Sequence, residues 1–286
     1  MINRSAQGGV CACAGGMSAP HGCGVEGLGV HRSLILIFAV GGCLAAGCAT
    51  GQMRPDRKAF DDGYAAFQAG QWPRAVDGFT RYLRSDPTSS FRGEVYYYRG
   101  EALVHLGRRS ESLADFQRVA GAGAPPRIAA FAQVAAGNLY FEAGDDARAV
   151  RAYGEALKGP QGDLPMDMLL LRLSVSLQRL GKWSVADKYL GHLIDRYPKS
   201  PAAAEARRRY KADSFSIQTG AYGSLSAAQQ EIERLRAAGF LARLGEMKRG
   251  SQVLHTVQVG RAKDYAAAQT LAQRVAQAGF TALIVP

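Results

Sequence analysis

The sequence predicts a multi-domain chain, an all-α helix–turn–helix solenoid followed by a small α+β domain of order β-α-β-β-α-β. Three observations carry this reading. Gly70, Gly107, Gly144 and Gly181 recur every 37 residues through the middle. In the C-terminal stretch, Ile217-Gln218-Thr219-Gly220 returns 40 positions later as Val257-Gln258-Val259-Gly260, and Ala238-Gly239-Phe240 as Ala278-Gly279-Phe280. Ahead of both, all five cysteines precede residue 49, beside a short apolar run.

At 286 residues about two domains are expected, and 47% hydrophobic content supplies packed cores. The net charge of +11 is spread thinly. Residues 56–213 hold 24 basic against 19 acidic side chains, and residues 214–286 hold 8 against 4. No block of like charge forms a nucleic-acid arm. A mildly basic face suits any anionic polymer or surface.

The leader comes first. His31-Arg32-Ser33 precedes Leu34-Ile35-Leu36-Ile37-Phe38-Ala39-Val40 and then small residues up to Gly47-Cys48. A positive flank, a short apolar core and a small-residue site describe an export signal over 1–47. The apolar run falls well short of the ~20 residues that span a membrane. Leu44-Ala45-Ala46-Gly47-Cys48 resembles a bacterial lipobox, which implies acylation of Cys48 and a tether over 48–55; Cys43 is the second candidate, and a plain cleaved signal the alternative. Thirty residues ahead of the flank suggest that translation starts near Val30, an expectation that a precursor peptide from upstream of residue 30 would sink. Cys11, Cys13, His21 and Cys23 match no zinc spacing in this Gly/Ala-rich leader, so no metal is expected.

Residues 56–200 follow as four helical hairpins. Five residues after each periodic glycine stands a small residue (Ala75, Ser112, Ala149, Ala186), and four further a large apolar one (Phe79, Phe116, Tyr153, Leu190). Glycine ends the first helix, and the small residue lets the second cross it closely. Pro87, Pro125, Pro160 and Pro198 close the units. This pattern resembles the tetratricopeptide repeat, TPR, with three extra residues per unit. The first helices carry Gly63, Gly100 and Gly137, but Ser174 in the fourth. Stacked TPR hairpins imply a concave groove that holds a protein or peptide partner. Trp72, Tyr96, Tyr97 and Tyr98 are candidates for that groove, but packing between helices is the simpler expectation. Residues 201–213 read as a capping helix and linker, with Pro201 in its first turn and Arg207–Arg209 in its last.

The C-terminal stretch, residues 214–286, reads as strands over 215–222, 242–247, 253–259 and 281–285, with helices over 226–238 and 265–278. Ser224 and Asp264 stand as caps before the helices, and Gly239 and Gly279 end them. Strand alternation sends Phe215, Ile217 and Thr219 to the core, and Ser216, Gln218, Gly220 and Tyr222 to the uncovered face. In the third strand Val253, His255, Val257 and Val259 go to the core, while Leu254, Thr256 and Gln258 join the uncovered face. Planar amides and hydroxyls suit sugar hydroxyl and acetamido groups, and a tyrosine stacks on a sugar ring.

Phe215-Ser-Ile-Gln-Thr-Gly-Ala-Tyr222, Ala238-Gly-Phe240, Val257-Gln-Val-Gly260 and Gly279-Phe280 resemble the SPOR domain (sporulation-related repeat). The resemblance implies a ribonucleoprotein-like fold that binds peptidoglycan through its sheet, with a preference for glycan stripped of stem peptides. By position it assigns glycan contacts to Ser216, Gln218, Tyr222, Thr256 and Gln258. His255 stands where that family often carries an aromatic. RNA binders of this fold carry stacking aromatics on the central strands; Gln218, Gly220, Thr256 and Gln258 argue against nucleic acid here.

Together these features predict a non-catalytic, cofactor-free lipoprotein of the bacterial cell envelope. It would be periplasmic, held to the outer membrane by its lipid, and would bind denuded glycan strands and a TPR-groove partner in cell division or septal wall remodelling. The alternatives are a TPR chaperone or assembly factor with SPOR as its address, and an accessory to a wall hydrolase. Hydrolysis itself needs paired carboxylates or a zinc site. Beyond the leader, His105, His192 and His255 lie in separate units without ligand spacing.

Overall fold

The computed structural model describes residues 55–286. The predicted leader, Cys43, Cys48, the other leader cysteines and the tether up to residue 54 lie outside the described residues. Among the described residues nine helices come first: α1 Pro55–Gln68, α2 Trp72–Ser85, α3 Arg92–His105, α4 Arg109–Gly121, α5 Pro126–Glu142, α6 Asp146–Ala156, α7 Met166–Arg179, α8 Trp183–Arg196 and α9 Pro201–Arg209. Then follow β1 Phe215–Tyr222, α10 Leu225–Ala237, β2 Ala242–Arg249, β3 Gln252–Ala262, α11 Tyr265–Gln277 and β4 Leu283–Val285.

The solenoid is four hairpins, α1/α2 to α7/α8, closed by α9. Each hairpin turns at its periodic glycine, whose φ lies between 69° and 73° at Gly70, Gly107, Gly144 and Gly181. That left-handed conformation strains any residue with a Cβ, which is why glycine recurs there. The small residues Ala75, Ser112, Ala149 and Ala186 are fully buried. The hydroxyl of Ser112 remains satisfied by donating to the Gly100 carbonyl at 2.9 Å.

A second glycine series explains how the hairpins close. A Cβ on Gly63 would lie 3.1 Å from the Phe79 ring; on Gly100 it would meet Phe116 at 2.6 Å, and on Gly137 Tyr153 at 2.6 Å. The aromatic ring of the second helix thus lies on the bare backbone of the first. In the fourth unit the ring is replaced by Leu190, and there Ser174 fits, its hydroxyl donating to the Leu170 carbonyl at 2.7 Å. The apparent departure at Ser174 is a paired exchange: a smaller partner leaves room for a side chain.

α9 covers the open end by packing on α7 and α8. Ser200 caps it by accepting from the Ala202 amide. Its arginines are engaged locally. Arg208 and Arg209 bond Glu205, Arg207 donates to the Pro198 carbonyl, and the Arg209 carbonyl accepts from Gln178.

The last 76 residues, Lys211 onward, build an antiparallel sheet in the order β2-β3-β1-β4. β2 and β3 run longer than expected because a two-residue turn joins them. Arg249 pairs directly with Gln252, and Gly250 takes φ 63° at the first turn position. α10 and α11 both pack on the Ile217, Val257 and Val259 side, burying Ala228, Leu235, Ala268 and Val275. Ser224 and Asp264 cap them as expected, accepting from Ala227 and Ala267.

The solenoid and the sheet domain form one compact unit. Trp183, the first residue of α8, donates its indole N–H to the Lys263 carbonyl at 2.7 Å and sets its ring edge-on to Phe215. Arg179 lies over the Tyr265 ring, 5.1 Å from its centre. The turn glycine Gly181 faces Lys263: a Cβ there would be 3.2 Å from its carbonyl oxygen, whereas one on Gly107 or Gly144 would meet open space.

Candidate functional site: the uncovered sheet face

β1 and β3 are the two central strands, and Gln218 stands directly opposite Gln258. Their neighbours Ile217 and Val259 form a core pair, so both amides project from the face that carries no helix. Gln258 also pairs with Arg243 of β2, and Gln218 with Leu283 of β4. A row Arg243–Gln258–Gln218–Leu283 therefore crosses the face perpendicular to the strands.

Both central strands break their alternation just after the glutamine. The β1–β3 register shifts between Phe215 and Ile217, and again between Gln218 and Gly220. The first shift adds a residue to β3 beside Gly260, whose φ is 69°. The second adds Thr219 to β1. A bulge of one residue reverses the facing of everything beyond it.

The reversal corrects one expected contact. Beyond the bulge Gly220 pairs with the buried Val257, and Tyr222 with His255. Tyr222 thus lies on the helix-covered side, its ring against the sheet-domain core and beside Gly220. Its phenol pKa is raised, mainly by burial and then by the charge of Glu231 in α10. It is a half-buried residue packed against the sheet-domain core on the side opposite Gln218 and Gln258. Gly220 moves to the core side with it, while Ala221, opposite Thr256, takes the uncovered face.

Ser216 and Thr256 do lie on the uncovered face, but each is only 3% exposed. Thr256 leans over Gly245 of β2, where a Cβ would come within 2.8 Å of its hydroxyl. Ser216 is covered by the guanidinium of Arg243, which donates to its hydroxyl.

Alternation within β1 and β3 alone did not single out Arg243. Its Nε and Nη2 donate to Oε1 of Gln258 at 3.3 and 3.2 Å, and Nη2 also donates to Ser216. Pairing β2 onto β3 in sequence, Arg243 to Gln258, is the signal that finds it. Nearby, Arg261 donates through Nη2 to both carboxylate oxygens of Asp213 at 2.6 Å, and this holds the Asp213 carboxyl below its usual range. Ala212, Asp213, Ser214, Ser216, Arg243, Arg261 and Pro286 line a groove of about 320 Å³ at this end of the face.

In the solenoid, the proposed groove aromatics pack between helices. Trp72 stacks flat on His105 at 3.9 Å. Tyr98 packs among Tyr64, Phe67 and Phe79, and Tyr97 against Phe116 and Phe131. Tyr96 lies under Arg92, Arg99 and Arg118. Arg99 also grips the buried Asp115 through two bonds of 2.7 Å.

The SPOR domain family matches residues 211–286, and a tetratricopeptide repeat family matches residues 169–200. Among solved structures, the chain is similar to the MamA protein at 15% identity, over 54% of this chain and 81% of that one, with TM-score 0.45. It is similar to a tetratricopeptide repeat protein from Parabacteroides merdae at 15% identity, over 54% and 58% of the two chains, with TM-score 0.46. It is also similar to the peptidoglycan binding domain of the B. subtilis cell wall lytic enzyme CwlC at 31% identity, over 25% of this chain and 85% of that one, with TM-score 0.22. No curated protein sequence matches the chain. Both matched families are non-catalytic binding modules. Among the described residues no helix is long and apolar enough to cross a membrane. The helical hairpins are a tetratricopeptide solenoid, and the sheet domain that ends it matches the SPOR domain family over residues 211–286.

Proposed function

We propose that this protein is a non-catalytic envelope adaptor that holds denuded glycan strands on its SPOR sheet and a protein partner in its TPR groove. Lipid at Cys48 would tether it to the outer membrane, facing the periplasm. The observation that carries the reading is the pair Gln218–Gln258, directly opposed on the two central strands of the uncovered face. Side by side, the Gln218 amide offers a donor and an acceptor, and the Gln258 amide, its oxygen held by Arg243, offers its NH2 to sugar hydroxyl and acetamido groups. Ser216 and Thr256 serve from the floor of the site. With one end in a membrane and the other on the wall, two modest affinities combine through effective concentration. Denuded glycan accumulates where septal wall is remodelled, which is where such an adaptor would bring its partner.

The test is sedimentation of the exported protein with sacculi before and after amidase digestion. Amidase treatment, which strips stem peptides, should increase the bound fraction several-fold. Equal binding to both preparations defeats the preference for denuded glycan. No binding to either defeats glycan recognition altogether.

A further inference from the structure

Arg243 is an exposed arginine on the binding face with no carboxylate partner among the described residues. Its neighbour Arg261 is neutralised by Asp213. The Arg243 head group is nevertheless held in place, by Ser216 from below and by Gln258 from the side. That bonding fixes the Gln258 amide. Its Oε1 is occupied by the guanidinium, so its NH2 is the end left for a ligand. The Nη1 of Arg243, with its two N–H groups, has no partner among the described residues. The free valences at this point of the face are therefore all donors, one set of them charged.

A site of donors alone fits an acceptor-only group, and a carboxylate is the strongest such group on a glycan. In peptidoglycan, the lactyl carboxyl of N-acetylmuramic acid is an amide wherever a stem peptide is attached. It becomes a free carboxylate when the peptide is removed. An amide there is neutral and keeps one carbonyl acceptor in place of two charged carboxylate oxygens, so it answers these donors more weakly. We propose that Arg243 and the Gln258 amide form a carboxylate-reading subsite, and that it recognises the lactyl carboxylate of denuded glycan. This rests on the glycan-binding reading above and supplies a chemical cause for a preference that exclusion of the peptide by size alone leaves unexplained. Gln258 contacts the ligand. Arg243 both contacts the carboxylate and positions Gln258.

The experiment compares binding of the exported protein to native denuded strands and to strands whose carboxyls have been converted to methylamides. The sugars are unchanged; the charge is removed, and one of the two carboxylate oxygens gives way to an N-methyl group while a carbonyl remains. Wild type should bind the methylamide strands about tenfold more weakly, the order expected for a hydrogen bond to a charged group. Arg243→Gln should bind both strands alike, at the wild-type level for methylamide strands. Arg243→Lys should keep part of the discrimination, because it keeps charge and loses the two-pronged geometry. Thermal melting of each variant checks the fold, which an exposed edge-strand position should leave intact. Equal wild-type binding to the two strands overturns the subsite while leaving glycan binding standing, and so does discrimination that survives in Arg243→Gln. Binding to neither strand overturns the glycan reading and the subsite with it.

Discussion

The two halves of this molecule are both built by repetition, but repetition preserves residue roles in one and changes them in the other. Across four helical hairpins, the turn glycine and the small residue after it do the same job every 37 positions. Four turn glycines share one backbone conformation, and four small residues are fully buried. Across the 40-residue repeat of the SPOR domain, the glutamines keep their roles, while the bulges beyond them fall on different residues. Helices tolerate no slippage of their i to i+4 bonds, so spacing translates directly into facing. Strands accept an extra residue at modest cost, and each insertion reverses the face.

The ends of the solenoid make the same point. Trp72 and Trp183 occupy equivalent positions three units apart. Trp72 stacks on His105 of the next repeat. Trp183 has no further repeat to meet, and turns its indole to Lys263 and Phe215 of the SPOR domain. At this tryptophan the SPOR domain supplies the partner that the next repeat supplies to Trp72, so the sheet is held against the solenoid and not strung on a free linker.

The comparison is most severely tested in the solenoid. Gly137→Ala drives a methyl into the Tyr153 ring and should cost about 1–3 kcal/mol, measured by urea unfolding. Adding Tyr153→Leu recreates the Ser174/Leu190 solution of the fourth unit and should recover much of that loss. Strict additivity of the two changes would refute the paired exchange.

Trp183→Ala should come next, with about 2 kcal/mol lost at the seam. The expected signature is calorimetric: one cooperative transition should split in two as the SPOR domain melts on its own. A single unsplit transition means that the seam does not couple the domains.

On the sheet, Gln218→Glu should weaken sedimentation with denuded glycan about tenfold at unchanged melting temperature, through repulsion of the carboxylates. Tyr222→Leu should do the converse, lowering the melting temperature and sparing the affinity of the folded protein. If Tyr222→Leu selectively abolishes binding, the facing assigned beyond the bulge is wrong.

The smallest effect expected is on pH dependence. Burial pushes Glu101 up to about 6 from its ordinary 4.5. The folded state then binds more protons than the unfolded between these values, so this carboxyl's contribution to stability is fully present below about 4.5 and is lost as pH rises through about 6. Glu101→Gln should remove that decline, on the order of 1–2 kcal/mol, from a stability profile over pH 4–7. A slope identical to wild type rules Glu101 out as its source.

Much of the fold was legible from residues alone. The hairpins, their turn glycines, the capping helix and the strand–helix order of the SPOR domain all follow from local spacing and caps. So does the shared face of Gln218 and Gln258, because both precede the bulges that break alternation. Tyr222 was misplaced because it follows one. Gly220 hinted at the break, as glycine inside a strand does, but parity counting cannot say on which residue the extra position falls.

What the sequence determined by itself was therefore everything carried by local period: two repeats, their boundaries, and an amide pair on an uncovered face. Only the tertiary structure decided the rest. The register of β1 on β3 put Tyr222 on the helix-covered side, against the core, and the pairing of β2 brought Arg243 onto Gln258 and Ser216. The packing of α8 gave Trp183 its seat on the neighbouring domain. These three outcomes depend on which strand or helix lies alongside. That is set by the burial of whole faces and not by any spacing within one segment.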